Sequence, residues 1–170
     1  MVASIQETPV INPYDGSVVG TVPEFSEQDV RDAISRAVQA APIMASMPAH
    51  QRGSILNKAA QLIAGQVDEI ARIMARENGK PLKYARLEAQ RAVDTFNFAA
   101  DEARRLHGET IPLDASAGGV GKIGYFIRVP VGVIAAITPF NFPLNLSVHK
   151  VAPAIAAGCT VVMKPAPATP

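Results

Sequence analysis

The amino-acid sequence predicts an α/β fold, in which a hairpin and a layer of helices lead into the first strands of a parallel sheet. Turn residues Asp15-Gly16 separate two short strand-like stretches near the N-terminus, and helical spacing of apolar residues dominates positions 26–107. The last forty residues, 131–170, contain two short apolar runs on either side of one helical pattern. Continuously apolar runs of this kind are typical of parallel strands buried on both faces.

Composition and charge narrow the class of protein. Of the 170 residues, 48% are hydrophobic and 18% are charged, which is typical of a globular chain. A net charge of +1 gives no reason to expect a nucleic acid or a membrane as partner. The N-terminus lacks the basic and apolar regions of a signal peptide, and one cysteine excludes an internal disulfide framework. We therefore expect a cytoplasmic protein.

The first two-thirds of the chain predicts a hairpin followed by four helices. Residues 5–23 form the hairpin, with its turn at Asp15-Gly16. Ser26 and Asp29 have the spacing of a capping box, so the first helix begins there, and Pro42 is predicted to end it. The same spacing rules predict further helices over about 49–64, 67–78 and 82–107, the last two closed by Gly79 and Gly108.

The remainder predicts three strands and one helix. Polar and apolar residues alternate over 123–129, which indicates a strand with two different faces. A buried strand over 133–137, a proline-flanked turn, a helix from about Ser147 to Gly158 and a strand over 160–163 then form a strand-helix-strand unit. Asn141 and Lys164 follow the two strands, at the carboxyl ends where such units bind their ligands.

Three stretches together resemble the aldehyde dehydrogenase superfamily. They are Pro139-Phe140-Asn141-Phe142-Pro143, the helix Lys150 to Gly158 with Pro153-Ala154 inside it, and Thr160-Val161-Val162-Met163-Lys164-Pro165. The resemblance covers essentially all of this chain but only the first part of such an enzyme. It implies a truncated Rossmann-like domain: hairpin and helices over 1–121, an oligomerisation-arm strand over 122–130, and the first strand-helix-strand unit over 131–170. The catalytic domain would be absent.

The resemblance assigns roles to residues around the two strand ends. Asn141 would donate its side-chain amide to the oxyanion of the thiohemiacetal intermediate, whereas the residues alone favour a turn asparagine that satisfies its own backbone. Lys164 would contact the adenosine ribose of the cofactor, whereas a lysine can also simply mark where a strand reaches the surface. The nicotinamide side would be lined by Ile137, Thr138, Pro139 and Phe140.

Pro167 bears on the choice of cofactor. Many NAD-preferring relatives carry a glutamate at this position, three residues after the lysine, where it grips the ribose hydroxyls. Proline supplies neither that acceptor nor the negative charge that would repel a 2′-phosphate. The resemblance therefore implies NADP or NAD as cofactor, with NADP slightly favoured.

Several other features do not indicate a site. Residues 119–124 spell G-x-G-x-x-G, but a loop precedes them and a strand follows, so the helix that this motif needs is missing. Cys159 opens a buried strand and is interpreted as structural. The three histidines have no metal-ligand spacing, and we predict no metal site. Glu77 and Glu88 have no identifiable partner, and neither is predicted to be a general base.

The resemblance implies the N-terminal portion of an NAD(P)-dependent aldehyde dehydrogenase, which oxidises an aldehyde to an acid. The portion would be inactive alone, since its cysteine nucleophile and glutamate base are missing, and its partners would be a small aldehyde and the remainder of the enzyme or another subunit. The complete enzyme would be a homo-oligomer, and the turn variant resembles relatives that act on lactaldehyde or glyceraldehyde 3-phosphate. The alternative is a non-catalytic binding or assembly module. Unpaired edges of the strands 123–129 and 160–163 predict self-association of the isolated chain.

Overall fold

The computed structural model describes residues 6–170 and begins with the predicted hairpin. Strands β1 (Glu7–Ile11) and β2 (Val18–Pro23) pair antiparallel, with an irregularity in register between Val10 and Ile11. Gly16 lies in the turn with a φ of 72°, a left-handed conformation that glycine adopts without steric cost.

Four helices follow: α1 (Glu27–Ser46), α2 (Ala49–Ala64), α3 (Val67–Asn78) and α4 (Leu82–Arg105). The capping box is confirmed, because the Ser26 side chain accepts from the Asp29 N–H and the Asp29 carboxylate accepts from the Ser26 N–H. The prediction that Pro42 ends α1 was wrong, since the helix continues through Pro42 to Ser46. A proline removes one backbone hydrogen bond, and the packing of α1 on the strands described below compensates for it.

A short antiparallel pair connects the helices to the parallel sheet. Strand β3 (Glu109–Ile111) pairs with β4 (Gly124–Phe126), so that Glu109 lies opposite Phe126. The strand predicted over 123–129 is therefore shorter, and β3, which we did not predict, covers one of its edges. Its other edge has no strand partner among the residues that the structure describes. The G-x-G-x-x-G stretch leads into β4 rather than into a helix, as expected.

The last section is a parallel strand-helix-strand unit made of β5 (Val133–Ile137), α5 (Pro143–Ala156) and β6 (Thr160–Lys164). The strands run in register from Val133 opposite Thr160 to Ile137 opposite Lys164. Helix α5 was predicted to begin near Ser147, but it begins one turn earlier, at Pro143. Proline is tolerated in the first helical turn because its missing N–H would have no intrahelical partner there.

The main core lies where α2, α4 and α5 meet, and α4 contributes a stripe of alanines to it. Its buried members are Leu56, Ala60, Ala92, Phe96, Ala99, Ala100, Ala103, Val148, Ala152 and Ala156. A smaller cluster joins α3 to the start of α4 through Ala71, Met74, Ala85 and Ala89. Small side chains allow the helices to approach closely, so α4 brings its own polar residues within reach of the first turn of α5.

No helix in the described part of the chain is long and apolar enough to span a membrane. Within residues 6–170 no three histidine, cysteine, aspartate or glutamate side chains come together as a metal site would require.

Candidate functional site

The carboxyl ends of β5 and β6 form one edge of the parallel pair. Ile137 and Lys164 face each other in the last register position, and the Thr138 N–H extends the ladder by donating to the Lys164 carbonyl over 3.2 Å. Ile137 and Phe140 are 63% and 59% exposed, Pro139 is exposed as well, and Thr138 is buried. The structure thus brings together the strand-end residues that the sequence predicted.

Lys164 and Pro167 lie at the same end of β6. Both residues are exposed, and the Lys164 Nζ lies 3.2 Å from the carbonyl oxygen of the adjacent Pro165. That contact is local, and in residues 6–170 no carboxylate forms an ion pair with this ammonium. The edge therefore presents a positive charge beside apolar surface, a combination that suits a phosphate-bearing group with a ring system.

Asn141 sits in the exposed turn between β5 and α5. Within the described residues its side-chain amide makes no hydrogen bond, so it does not satisfy its own backbone as the alternative interpretation required. Its backbone carbonyl, in contrast, accepts a hydrogen bond from the Lys80 Nζ over 2.8 Å. The amide is thus free to meet a group beyond the turn.

The end of α3 reaches across to this turn. Gly79 closes the helix with a φ of 70°, and its N–H donates to the Ala75 carbonyl over 3.0 Å. This reversal places Asn78 and Lys80 beside the turn, where the Asn78 side-chain amide donates to the Phe140 carbonyl. The Lys80 Nζ also lies 4.1 Å from the centroid of the Phe142 ring, within the range of a cation–π interaction.

Glu88, on α4, is the residue that the sequence analysis misjudged. Glu88 is buried, with only 2% of the residue exposed. One carboxylate oxygen pairs with the Lys80 ammonium. The other oxygen accepts hydrogen bonds from the backbone N–H groups of Leu144 and Asn145 at 3.0 and 3.1 Å. The prediction that Glu88 has no partner was therefore wrong. Its backbone partners lie more than fifty residues further along the chain, so no local pattern could reveal them.

Asn145, in the first turn of α5, is a second buried polar residue beside Glu88. It is 2% exposed, and neither its side-chain oxygen nor its nitrogen has a hydrogen-bond partner in the described part of the chain. Asn145 was not predicted as a site residue, because its only signal in the sequence is a polar residue at a helical position that packs between helices.

The remaining candidates lie elsewhere or are structural. Cys159 is buried at the start of β6, and its N–H donates to the Ala154 carbonyl over 2.8 Å, as expected for a structural cysteine. Glu77 is half-buried in the last turn of α3, and burial raises the pKa of its carboxyl above the ordinary value. His50 and His149 are exposed on α2 and α5, and His107 contacts the carbonyl of Arg105.

Comparison with known proteins gives a consistent result over the whole chain. The family model described as "Aldehyde dehydrogenase family" matches residues 1–170. Aspartate-semialdehyde dehydrogenase 1 of Pseudomonas canavaninivorans is 44% identical over 161 residues, which are 95% of this chain and 34% of that protein.

Solved structures agree. Aldehyde dehydrogenase 21 of Physcomitrella patens, in complex with the reaction product succinate, matches with a TM-score of 0.96 and 45% identity over 100% of this chain and 35% of that one. The NADP-dependent glyceraldehyde-3-phosphate dehydrogenase of Bacillus halodurans, in complex with NADP, matches with a TM-score of 0.93 and 39% identity over 96% of this chain and 35% of that one. The chain thus spans about a third of the length of these relatives.

Proposed function

The chain belongs to the aldehyde dehydrogenase family, and we propose that it supplies the N-terminal portion of an NAD(P)-dependent enzyme that oxidises an aldehyde to a carboxylic acid. The observation that carries this proposal is the Asn141 turn. It presents a neutral amide, without a partner in the described residues, at the carboxyl end of β5, in the position where ligands of parallel sheets bind.

In this proposal Asn141 stabilises negative charge on the substrate oxygen. A carboxamide N–H donates without titrating, so its contribution does not depend on pH near neutrality. A donor held at the place where an oxyanion develops is worth about 3 kcal/mol in the transition state. Lys80 binds the Asn141 backbone carbonyl, whereas the side-chain amide makes no hydrogen bond among the described residues and can donate to a substrate.

The cofactor would lie along the edge formed by Ile137 and Lys164. The exposed surfaces of Ile137, Pro139 and Phe140 fit the apolar nicotinamide side, with Thr138 contributing through its backbone, and the Lys164 ammonium fits the polar ribose and phosphate side. When bound, the cofactor accepts the hydride that leaves the aldehyde carbon. At the position of Pro167 this chain has no carboxylate to repel a 2′-phosphate, which supports NADP as the slightly favoured cofactor over NAD.

The relatives suggest a substrate class. Aspartate-semialdehyde dehydrogenase, the succinate complex and glyceraldehyde-3-phosphate dehydrogenase each concern a small molecule with an acidic group away from the reacting carbon. We propose a small, polar aldehyde for this protein too; glyceraldehyde 3-phosphate represents the kind with such an acidic group, and lactaldehyde the kind with a hydroxyl in its place. The family's nucleophile and general base would come from a portion outside residues 1–170, and the complete enzyme would be a homo-oligomer with 122–130 in its oligomerisation arm.

The test is the intact mass of the protein purified from its natural source, followed by an assay of aldehyde-dependent NADPH and NADH production. We expect a mass well above 17.9 kDa, or a tightly bound second chain, together with activity. A natural protein of about 17.9 kDa, with no bound partner and no activity, would instead support the non-catalytic assembly module.

A further inference from the structure

Helix α5 begins without a capping side chain of its own. Its N-cap residue is Phe142, which has no hydrogen-bonding side chain, and its first residue, Pro143, has no N–H. The next two N–H groups, of Leu144 and Asn145, both donate to one oxygen of Glu88. A carboxylate at this end of a helix also interacts favourably with the helix dipole. Glu88 of α4 therefore provides the cap that the local sequence lacks.

Lys80 connects this cap to the site residue. Its ammonium pairs with the second oxygen of Glu88 and also donates to the Asn141 carbonyl over 2.8 Å. The side chains of Lys80 and Glu88 are only 11% and 1% exposed, so water competes little for the bond between these two residues. Since removing either partner would leave a buried charge uncompensated, the two residues act as one unit.

We propose that Glu88 and Lys80 are positioning residues for Asn141. They hold the peptide group of Asn141 within the turn and those of residues 144 and 145 just after it, and so fix the direction of an amide whose side chain makes no hydrogen bond among the described residues. The inference rests on the proposed role of Asn141 as an oxyanion donor, because such a donor is effective only when it is fixed at the place where charge develops.

The first test is kinetic and uses the complete natural protein. Glu88→Gln keeps the shape and one acceptor oxygen but removes the charge, and Lys80→Met removes the donor to the Asn141 carbonyl. Both should lower kcat by about 10- to 100-fold, as expected when a reacting group is misplaced, with the KM for the cofactor unchanged. The double variant Lys80→Met/Glu88→Gln leaves no unpaired buried charge, so it should fold even if a single variant does not, and it should show the same loss.

A double-mutant cycle separates positioning from general stabilisation. If Glu88 acts through Asn141, then Glu88→Gln combined with Asn141→Ala should be no slower than Asn141→Ala alone. Fully additive losses would overturn the proposal. Asp68→Asn is the matched control. It removes a charge from an exposed ion pair between Asp68 and Arg86, and Arg86 lies on α4, as Glu88 does. This variant should leave kcat unchanged.

The second test does not depend on catalysis. In the same protein, amide hydrogen exchange at Leu144 and Asn145 should become about tenfold faster in Glu88→Gln, because a bond to a neutral acceptor replaces one to a carboxylate. Asp68→Asn should leave it unchanged. A parent protein that does not oxidise aldehydes refutes the proposed function alone, whereas unchanged exchange in both Glu88→Gln and the double variant refutes the positioning role itself.

Discussion

Ile137 and Lys164 lie directly opposite each other at the ends of two parallel strands, one residue before the backbone ladder closes through Thr138. This pairing joins an apolar side chain to an ammonium at one edge. The Asn141 turn begins immediately beyond the same edge. In the proposed function, the cofactor and the substrate oxygen would be bound by residues that are neighbours at this edge.

Asn141 should matter for rate rather than for cofactor binding. In the complete enzyme we expect Asn141→Ala to lower kcat by about 10²–10³-fold, as for the loss of an oxyanion donor, with little change in cofactor affinity. Steady-state kinetics with the aldehyde and the cofactor varied separately would measure this. An effect restricted to the KM for the cofactor would mean that Asn141 only shapes the turn.

The side chain at position 167 should influence the choice of cofactor. We expect Pro167→Glu to shift preference from NADP toward NAD, because a carboxylate accepts from ribose hydroxyls and repels a 2′-phosphate. The ratio of kcat/KM for the two cofactors measures the shift. Pro167→Gln is the matched control, since it adds an acceptor without the charge.

The Lys164 ammonium should contribute to binding the 2′-phosphate of NADP. Because its exposed ammonium has no carboxylate partner among the described residues, Lys164→Ala should weaken the binding of NADP more than that of NAD. Dissociation constants from fluorescence titration would show this. Equal losses for both cofactors would argue that Lys164 does not contact the 2′ position.

The isolated 170-residue chain should not oxidise aldehydes. An oxyanion donor and bound reactants do not replace the covalent step that a nucleophile provides, and the sole cysteine is buried at the start of β6. The measurement is steady production of NADPH or NADH by the purified chain. Sustained production that Cys159→Ala abolishes would make Cys159 the nucleophile and contradict this expectation.

The isolated chain should also self-associate. Within residues 6–170 β6 pairs only with β5, and the exposed face of α1 carries Val30, Ile34 and Val38. Open strand edges and apolar patches are templates for association. We expect light scattering to detect oligomers, and co-expression with the proposed further portion of the enzyme to reduce them. A monodisperse monomer with strong amide protection across β6 would show that the chain folds by itself.

Most features that depend on residues close together in the chain were predicted correctly, whereas contacts between residues far apart in the chain were not. The hairpin, the family and the α/β fold class are confirmed, because turn residues, periodicity and dense motifs are all read within short stretches. The start of α5 was misplaced because a proline can either end a turn or begin a helix. Strand β3 has three residues, too few to show an alternation. The role of Glu88 depends on Lys80 and on the first turn of α5, which only the folded chain brings together.

The order of residues in the chain gives the Asn141 turn a particular folding history. The side chains from other helices that bind the backbone from Phe140 to Asn145 come from earlier segments: Asn78 and Lys80 from the end of α3, and Glu88 from α4. Since synthesis proceeds from the N-terminus, these anchors leave the ribosome before the turn does. The turn can therefore emerge beside anchors that are already synthesised, and the later Ser147, whose hydroxyl donates to the Pro143 carbonyl, follows within α5 itself.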